Sequence, residues 1–146
     1  GLQFAAGHGI TTAVVAHKAF ATREAFDDAL AESIDAFEAD LVVLAGFMRI
    51  LGARFVQHYA GRLLNVHPSL LPAFKGWHAV REALAYGVKV TGCTIHVAGL
   101  DVDTGPILRQ EPVAILPDDT PETLHERIRV VEHRLLPEVV KELTSA

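Results

Sequence analysis

Asp40-Leu41-Val42-Val43-Leu44-Ala45-Gly46 decides the fold. Its apolar residues stand in a row without alternation, between an acid and a glycine. A strand that is apolar on both faces belongs inside a parallel sheet covered by helices. The flanks agree. Upstream, Phe26, Ala29, Leu30, Ile34 and Phe37 fall at helical spacing across Thr22 to Phe37. Thr22 is placed to cap that helix, and Glu24, Asp27 and Asp28 lie near its positive end. Downstream, a short helix is expected near Arg54 to Tyr59, ending at Gly61. Arg62-Leu63-Leu64-Asn65-Val66 then reads as a strand, cut off by Pro68.

The same two periods alternate along the rest of the chain. Thr11-Thr12-Ala13-Val14-Val15 is short and β-branched and reads as a strand. Ser69 to Gly76 is a loop bounded by proline and glycine. Trp77 to Tyr86 reads as a helix closed by Gly87. Val90 to Val97 and Ile107 to Ile115 read as strands, and the connection Ala98 to Pro106 is too long for a tight turn, which suggests a functional loop. The last helix starts at Thr120, with Pro121 in its first turn. Its apolar stripe runs through Leu124, Ile128, Val131, Leu135, Val139 and Leu143, and Pro137 should kink or split it. The alternation predicts an α/β fold with a mostly parallel sheet. Ligands of such a fold bind beyond the carboxyl ends of the strands.

Composition narrows the function. The chain has 146 residues, 13 basic and 18 acidic, a formal net charge of −5, and half its residues are hydrophobic. Length fits one domain over residues 1–146, since domains run to ~100–150 residues. An acidic balance argues against a nucleic-acid partner. No apolar run approaches the ~18 residues of a membrane span, so no membrane partner is expected. Cys93 is the single cysteine, so no intrachain disulfide can form, and a cytoplasmic location is the default.

Two features lie where the strand-end rule puts a site. Asn65 and His67 are two apart at the end of a strand, so their side chains share one side. Asn supplies an amide donor and His exchanges protons near neutral pH, a pairing suited to acyl transfer. Asp101 and Asp103 follow in the long loop, and a carboxylate beside His67 would favour its imidazolium. Plain readings stand beside these: Asn65 as a turn cap, His67 as an ordinary histidine, and Asp103-Thr104-Gly105-Pro106 as turn chemistry. His96 reads as a structural or supporting histidine, Cys93 as a buried small residue, and Glu132 as a solvated side chain off the apolar stripe. No metal is expected, because the histidines lack a zinc-type spacing and Cys93 has no CxxC partner. No nucleotide-binding glycine fingerprint is present.

Taken together, Gly46-Phe47-Met48-Arg49-Ile50-Leu51, Leu64-Asn65-Val66-His67-Pro68-Ser69-Leu70-Leu71-Pro72 and Asp103-Thr104-Gly105-Pro106-Ile107 resemble the phosphoribosylglycinamide formyltransferase family. The resemblance runs from Gly1 to about Leu143, and Val131-Glu132-His133 favours the purine-pathway branch of the folate-dependent formyltransferases. It implies a Rossmann-like formyltransferase fold. It also implies a reaction: a formyl group passes from 10-formyltetrahydrofolate, as co-substrate, to the amine of glycinamide ribonucleotide in de novo purine (IMP) biosynthesis. Asn65 would then bond the formyl oxygen, His67 would handle protons, and Asp103 would hold the charge state of His67 and order a water. Met48, Arg49, Ile50 and Leu51, with Gly99, Leu100, Asp101, Val102 and Asp103, would line the folate pocket. Arg23 would meet the folate tail carboxylate. Arg129, Val130, Val131 and Glu132 would hold the ribonucleotide. Partners are thus small molecules, and a homodimer is left open.

Members of that family open with a strand, a glycine-rich phosphate turn, a helix and a second strand. Gly1 to Gly9 reads instead like the end of a helix, so the fold is expected to be N-terminally incomplete by on the order of 40 residues. Two alternatives remain. A formyltetrahydrofolate hydrolase would use water as acceptor and carry an extra small domain ahead of the catalytic one. A non-catalytic folate-binding fragment would bind folate whether or not His67 is present.

Overall fold

A computed structural model describes residues 1–47 and 49–145. Four strands make one sheet in chain order: β1 (Val42–Leu44), β2 (Leu63–His67), β3 (Val90–Val97) and β4 (Ile107–Ala114). Five helices accompany them among the described residues: α1 (Leu2–Gly7), α2 (Arg23–Ala36), α3 (Ala53–His58), α4 (Ala79–Tyr86) and α5 (Pro121–Thr144).

The pairing of β1 with β2 is parallel, with Val43 opposite Leu64. The direction follows the expectation from the Leu41–Ala45 run, but the inner position does not: among the described residues β1 is an edge strand, because no described strand pairs with its other side. The other two pairings depart from a mostly parallel sheet: β2 with β3 and β3 with β4 are antiparallel. For β3 and β4 the physical reason lies in the connection. Residues 98–106 join β3 to β4 without a helix, and a parallel crossover needs a dozen or more residues.

Helices cover both faces, as a strand apolar on both sides demands. Leu63 and Leu64 are neighbours, both fully buried, and each enters a different core cluster. Leu63 packs with Phe55, Val56 and Tyr59 of α3 and its end, and with Leu30 and Ile34 of α2. Leu64 packs with Cys93, Ile95 and Val113 of the sheet and with Leu124, Ile128, Leu135 and Val139 of α5. Each such side chain contributes roughly 1.5–3 kcal/mol. Alternation along β2 then puts Asn65 and His67 on the Leu63 side.

The caps form where the sequence places them. Thr22 Oγ1 accepts from Ala25 N at 3.1 Å, and Gly87 ends α4 at φ 89°. At α5, Thr120 Oγ1 accepts from Thr123 N while Thr123 Oγ1 accepts from Thr120 N. Pro137 does not split α5, which runs unbroken to Thr144. The buried stripe continues past it at Val139, and that packing offsets the lost backbone bond. Thr11 to Val15 does not form a strand. The segment is mostly exposed and no strand among the described residues pairs with it, and β-propensity is realised only against a neighbour.

Candidate active site

Beyond the ends of β1 and β2 lies a cleft of about 340 Å³. Three segments wall it: the loop after β1, the end of β2 with the loop that follows, and residues 98–104. α5 closes one side through His125 and Glu132.

His67 sits at the centre, 4% exposed. Its Nδ1 lies 3.3 Å from Asp103 Oδ1, and its Nε2 donates to the Phe74 carbonyl at 2.7 Å. The Phe74 carbonyl only accepts, so Nε2 carries a hydrogen, while Nδ1 faces the Asp103 carboxylate. The carboxylate is fixed in turn, because Asp103 Oδ2 accepts from Gly76 N at 2.7 Å. Asp103 and Phe74 both have left-handed backbones, at φ 55° and 52°. Asp tolerates that region; a bulky aromatic rarely does. Phe74 is held there with its carbonyl also accepting from Ser69 Oγ. Strain of this kind costs about 1–3 kcal/mol and concentrates at functional sites.

The loop behind His67 is tied to the sheet. Thr94, opposite His67 in the β2–β3 register, donates to Ser69 O at 2.7 Å and accepts from Leu71 N at 3.1 Å. Gln110 Nε2 donates to Leu71 O at 2.8 Å.

Asn65 is oriented by His96, which is 1% exposed. His96 Nδ1 faces Val97 O at 3.1 Å, and Nε2 faces Asn65 Nδ2 at 3.2 Å. A carbonyl only accepts, so in the neutral ring Nδ1 carries the hydrogen and Nε2 accepts from the Asn65 amide. The amide nitrogen therefore has one hydrogen committed and a second left for a ligand in the cleft. Residues 98–104 turn tightly: Gly99 N donates to Thr104 O, and Thr104 Oγ1 donates to Asp101 O. Gly105 makes the turn possible, since at φ 115° a Cβ there would sit 1.9 Å from Val97 O.

Of the site residues expected from the sequence, the cleft gathers Arg49, Ile50, Leu51, Asn65, His67, Gly99 to Asp103 and Glu132. Met48 lies outside the described residues. Arg23 starts α2 away from the lining and pairs with Glu24 at 3.9 Å. Arg129, Val130 and Val131 do not line the cleft: Val131 packs against the core and Val130 is exposed. Helical periodicity is the reason, as only one residue of four in a row faces a given side. Burial pushes the Glu132 carboxyl up, with Arg129 partly opposing. Burial and the Arg129 charge push the His125 imidazole down.

The sequence reading missed His125, Trp77, the Phe74 carbonyl and the Gly76 amide as parts of this site. The Ser69–Gly76 segment signals the last two only as a loop, and Trp77 reads only as the start of the helix that follows. His125 carried a usable signal, standing seven residues before Glu132 on one helix face. No group of metal-ligating side chains is found among the described residues. No helix there is long and apolar enough to cross a membrane.

At its strand ends this α/β fold gathers an amide donor, a carboxylate-paired histidine and a polar loop. Residues 1–140 match the formyl transferase family, and the chain belongs to that family. It is 56% identical over 124 residues to a phosphoribosylglycinamide formyltransferase of Mycobacterium tuberculosis, covering 85% of this chain and 58% of that protein. It is 47% identical over 145 residues to the human trifunctional purine biosynthetic protein adenosine-3, covering 99% of this chain and 14% of that one. A crystal structure of phosphoribosylglycinamide formyltransferase from Bacillus halodurans matches with a TM-score of 0.93 at 42% identity, covering 99% of this chain and 74% of that one. The chain thus spans little more than half the length of the mycobacterial relative.

Proposed function

We propose that this chain carries the formyl-transfer centre of a phosphoribosylglycinamide formyltransferase, acting in purine biosynthesis. The co-substrate is 10-formyltetrahydrofolate and the acceptor is the primary amine of glycinamide ribonucleotide. The observation that carries this reading is the convergence of Asn65, His67 and Asp103 on one cleft, with Asp103 paired to His67.

The chemistry follows from the geometry. The amine nitrogen attacks the formyl carbon, and the carbonyl oxygen gathers negative charge. The uncommitted Asn65 N–H donates to that oxygen, and a protonated His67 adds a positive charge beside it. Collapse breaks the bond between the formyl carbon and the folate nitrogen. The proton lost by the amine ends on that nitrogen, giving tetrahydrofolate and the formylated amide. For His67 to pass a proton itself, Nε2 must leave the Phe74 carbonyl that it bonds at 2.7 Å. Asp103 holds the ring and its charge throughout.

Around this centre, Arg49, Ile50, Leu51 and residues 99–103 form the folate wall. Arg23 takes the folate tail, and Glu132 accepts from the ribonucleotide. The test is formation of formylglycinamide ribonucleotide from the two substrates, with His67→Ala alongside. Wild type forms product, while His67→Ala still binds folate and forms little. Folate binding without product in either protein refutes the assignment and favours a binding module.

A further inference from the structure

The loop that lines the folate side of the cleft is gripped from behind by three consecutive residues of α2. The Arg49 guanidinium lies 5.2 Å from the Phe26 ring centroid. Gly52 N donates to Asp27 Oδ2 at 2.8 Å. Arg54 pairs with Asp28 at 3.1 Å. The outer pair is exposed on both sides and contributes little. Asp27 differs: it is 6% exposed, although an aspartate is almost never buried unless paired. No donor among the described residues reaches its Oδ1. A buried carboxylate held by so few bonds is costly for folding alone.

The contact is also tight from the other side. A Cβ on Gly52 would stand 3.0 Å from Asp27 Oδ2. Residues 49–51 face the cleft, and Gly52 is where their segment turns into α3. Asp27 itself does not line the cleft.

We propose that Asp27 is a positioning residue for the folate subsite, fixing the backbone of residues 49–52 by its bond to Gly52 N. The proposal rests on the reading of the cleft as a folate site. Asp27 touches no substrate, so its loss acts through the loop. It weakens folate binding and leaves the ribonucleotide KM and the saturated kcat within about twofold. Removing a hydrogen bond to a charged acceptor weakens folate by roughly tenfold or more.

The experiment measures 10-formylfolic acid binding by calorimetry, and both KM values, on the full chain with Asp27→Ala, Asp27→Asn and Gly52→Ala. Asp27→Asn keeps an acceptor for Gly52 N and is expected to recover most of the affinity. Gly52→Ala crowds the same oxygen, so it weakens folate and is non-additive with Asp27→Ala. Equal falls in every parameter, or Asp27→Ala binding folate like wild type, overturn the proposal. A wild type that binds no folate refutes the site assignment instead.

Discussion

Asp103→Asn isolates the charge beside His67. The amide oxygen still accepts from Gly76 N, where the carboxylate does so at 2.7 Å. Asn also tolerates the left-handed φ of 55°, so the backbone is not strained further. What is lost is the anion facing His67 Nδ1 across 3.3 Å, in a pair whose side chains are 5% and 8% exposed. Close, desolvated charge pairs couple by about 1.5 kcal/mol or more. At 1.4 kcal/mol per decade, kcat/KM falls roughly tenfold or more. The assay follows tetrahydrofolate formation by absorbance, with urea unfolding alongside to show that the variant is folded. A folded Asp103→Asn within about twofold of wild type would refute the charge role. Asp103→Ala should lose more, because Gly76 N then has no acceptor.

Three further outcomes follow from the packing. Gly105→Ala forces a Cβ to 1.9 Å from Val97 O at φ 115°, and should lower stability by about 3 kcal/mol, read as a shift in urea midpoint. The Glu132 carboxyl is pushed up from its ordinary 4.5 by burial, so the unfolded chain ionises first as pH rises. Stability is therefore lost as pH rises from 4.5 through the raised value, and Glu132→Gln should melt above wild type at pH 7 and level with it below pH 4.5. Cys93 is fully buried and its thiol is pushed up to about 11, chiefly by burial, so a disulfide reagent should label it only after unfolding.

Much of this fold was legible because local signals and tertiary packing agree. Thr22, Gly87 and the Thr120-Pro121 pair mark helix ends by backbone chemistry, and all of those ends form. The double-faced Leu41–Ala45 run announced cover on both sides of a sheet. Strand direction was less legible, because residues 68–89 hold a helix and would suit a parallel crossover, yet β2 and β3 run antiparallel. Thr11 to Val15 misled for a related reason: β-branching records a preference that only a neighbouring strand can satisfy.

In the site, Asn65 and His67 were readable from a two-residue spacing at a strand end. The Phe74 carbonyl and the Gly76 amide were not, since any residue could supply either group. Arg129 to Val131 were assigned as a block, and the helix turns all but Glu132 of that block away from the cleft.

The central claim is that this cleft passes formyl to an amine and not to water. Incubation of the full chain with isotope-labelled 10-formyltetrahydrofolate and glycinamide ribonucleotide measures it directly. The account predicts label in formylglycinamide ribonucleotide, with little free formate when the ribonucleotide is withheld. Label released as formate at the same rate with or without the ribonucleotide would contradict it.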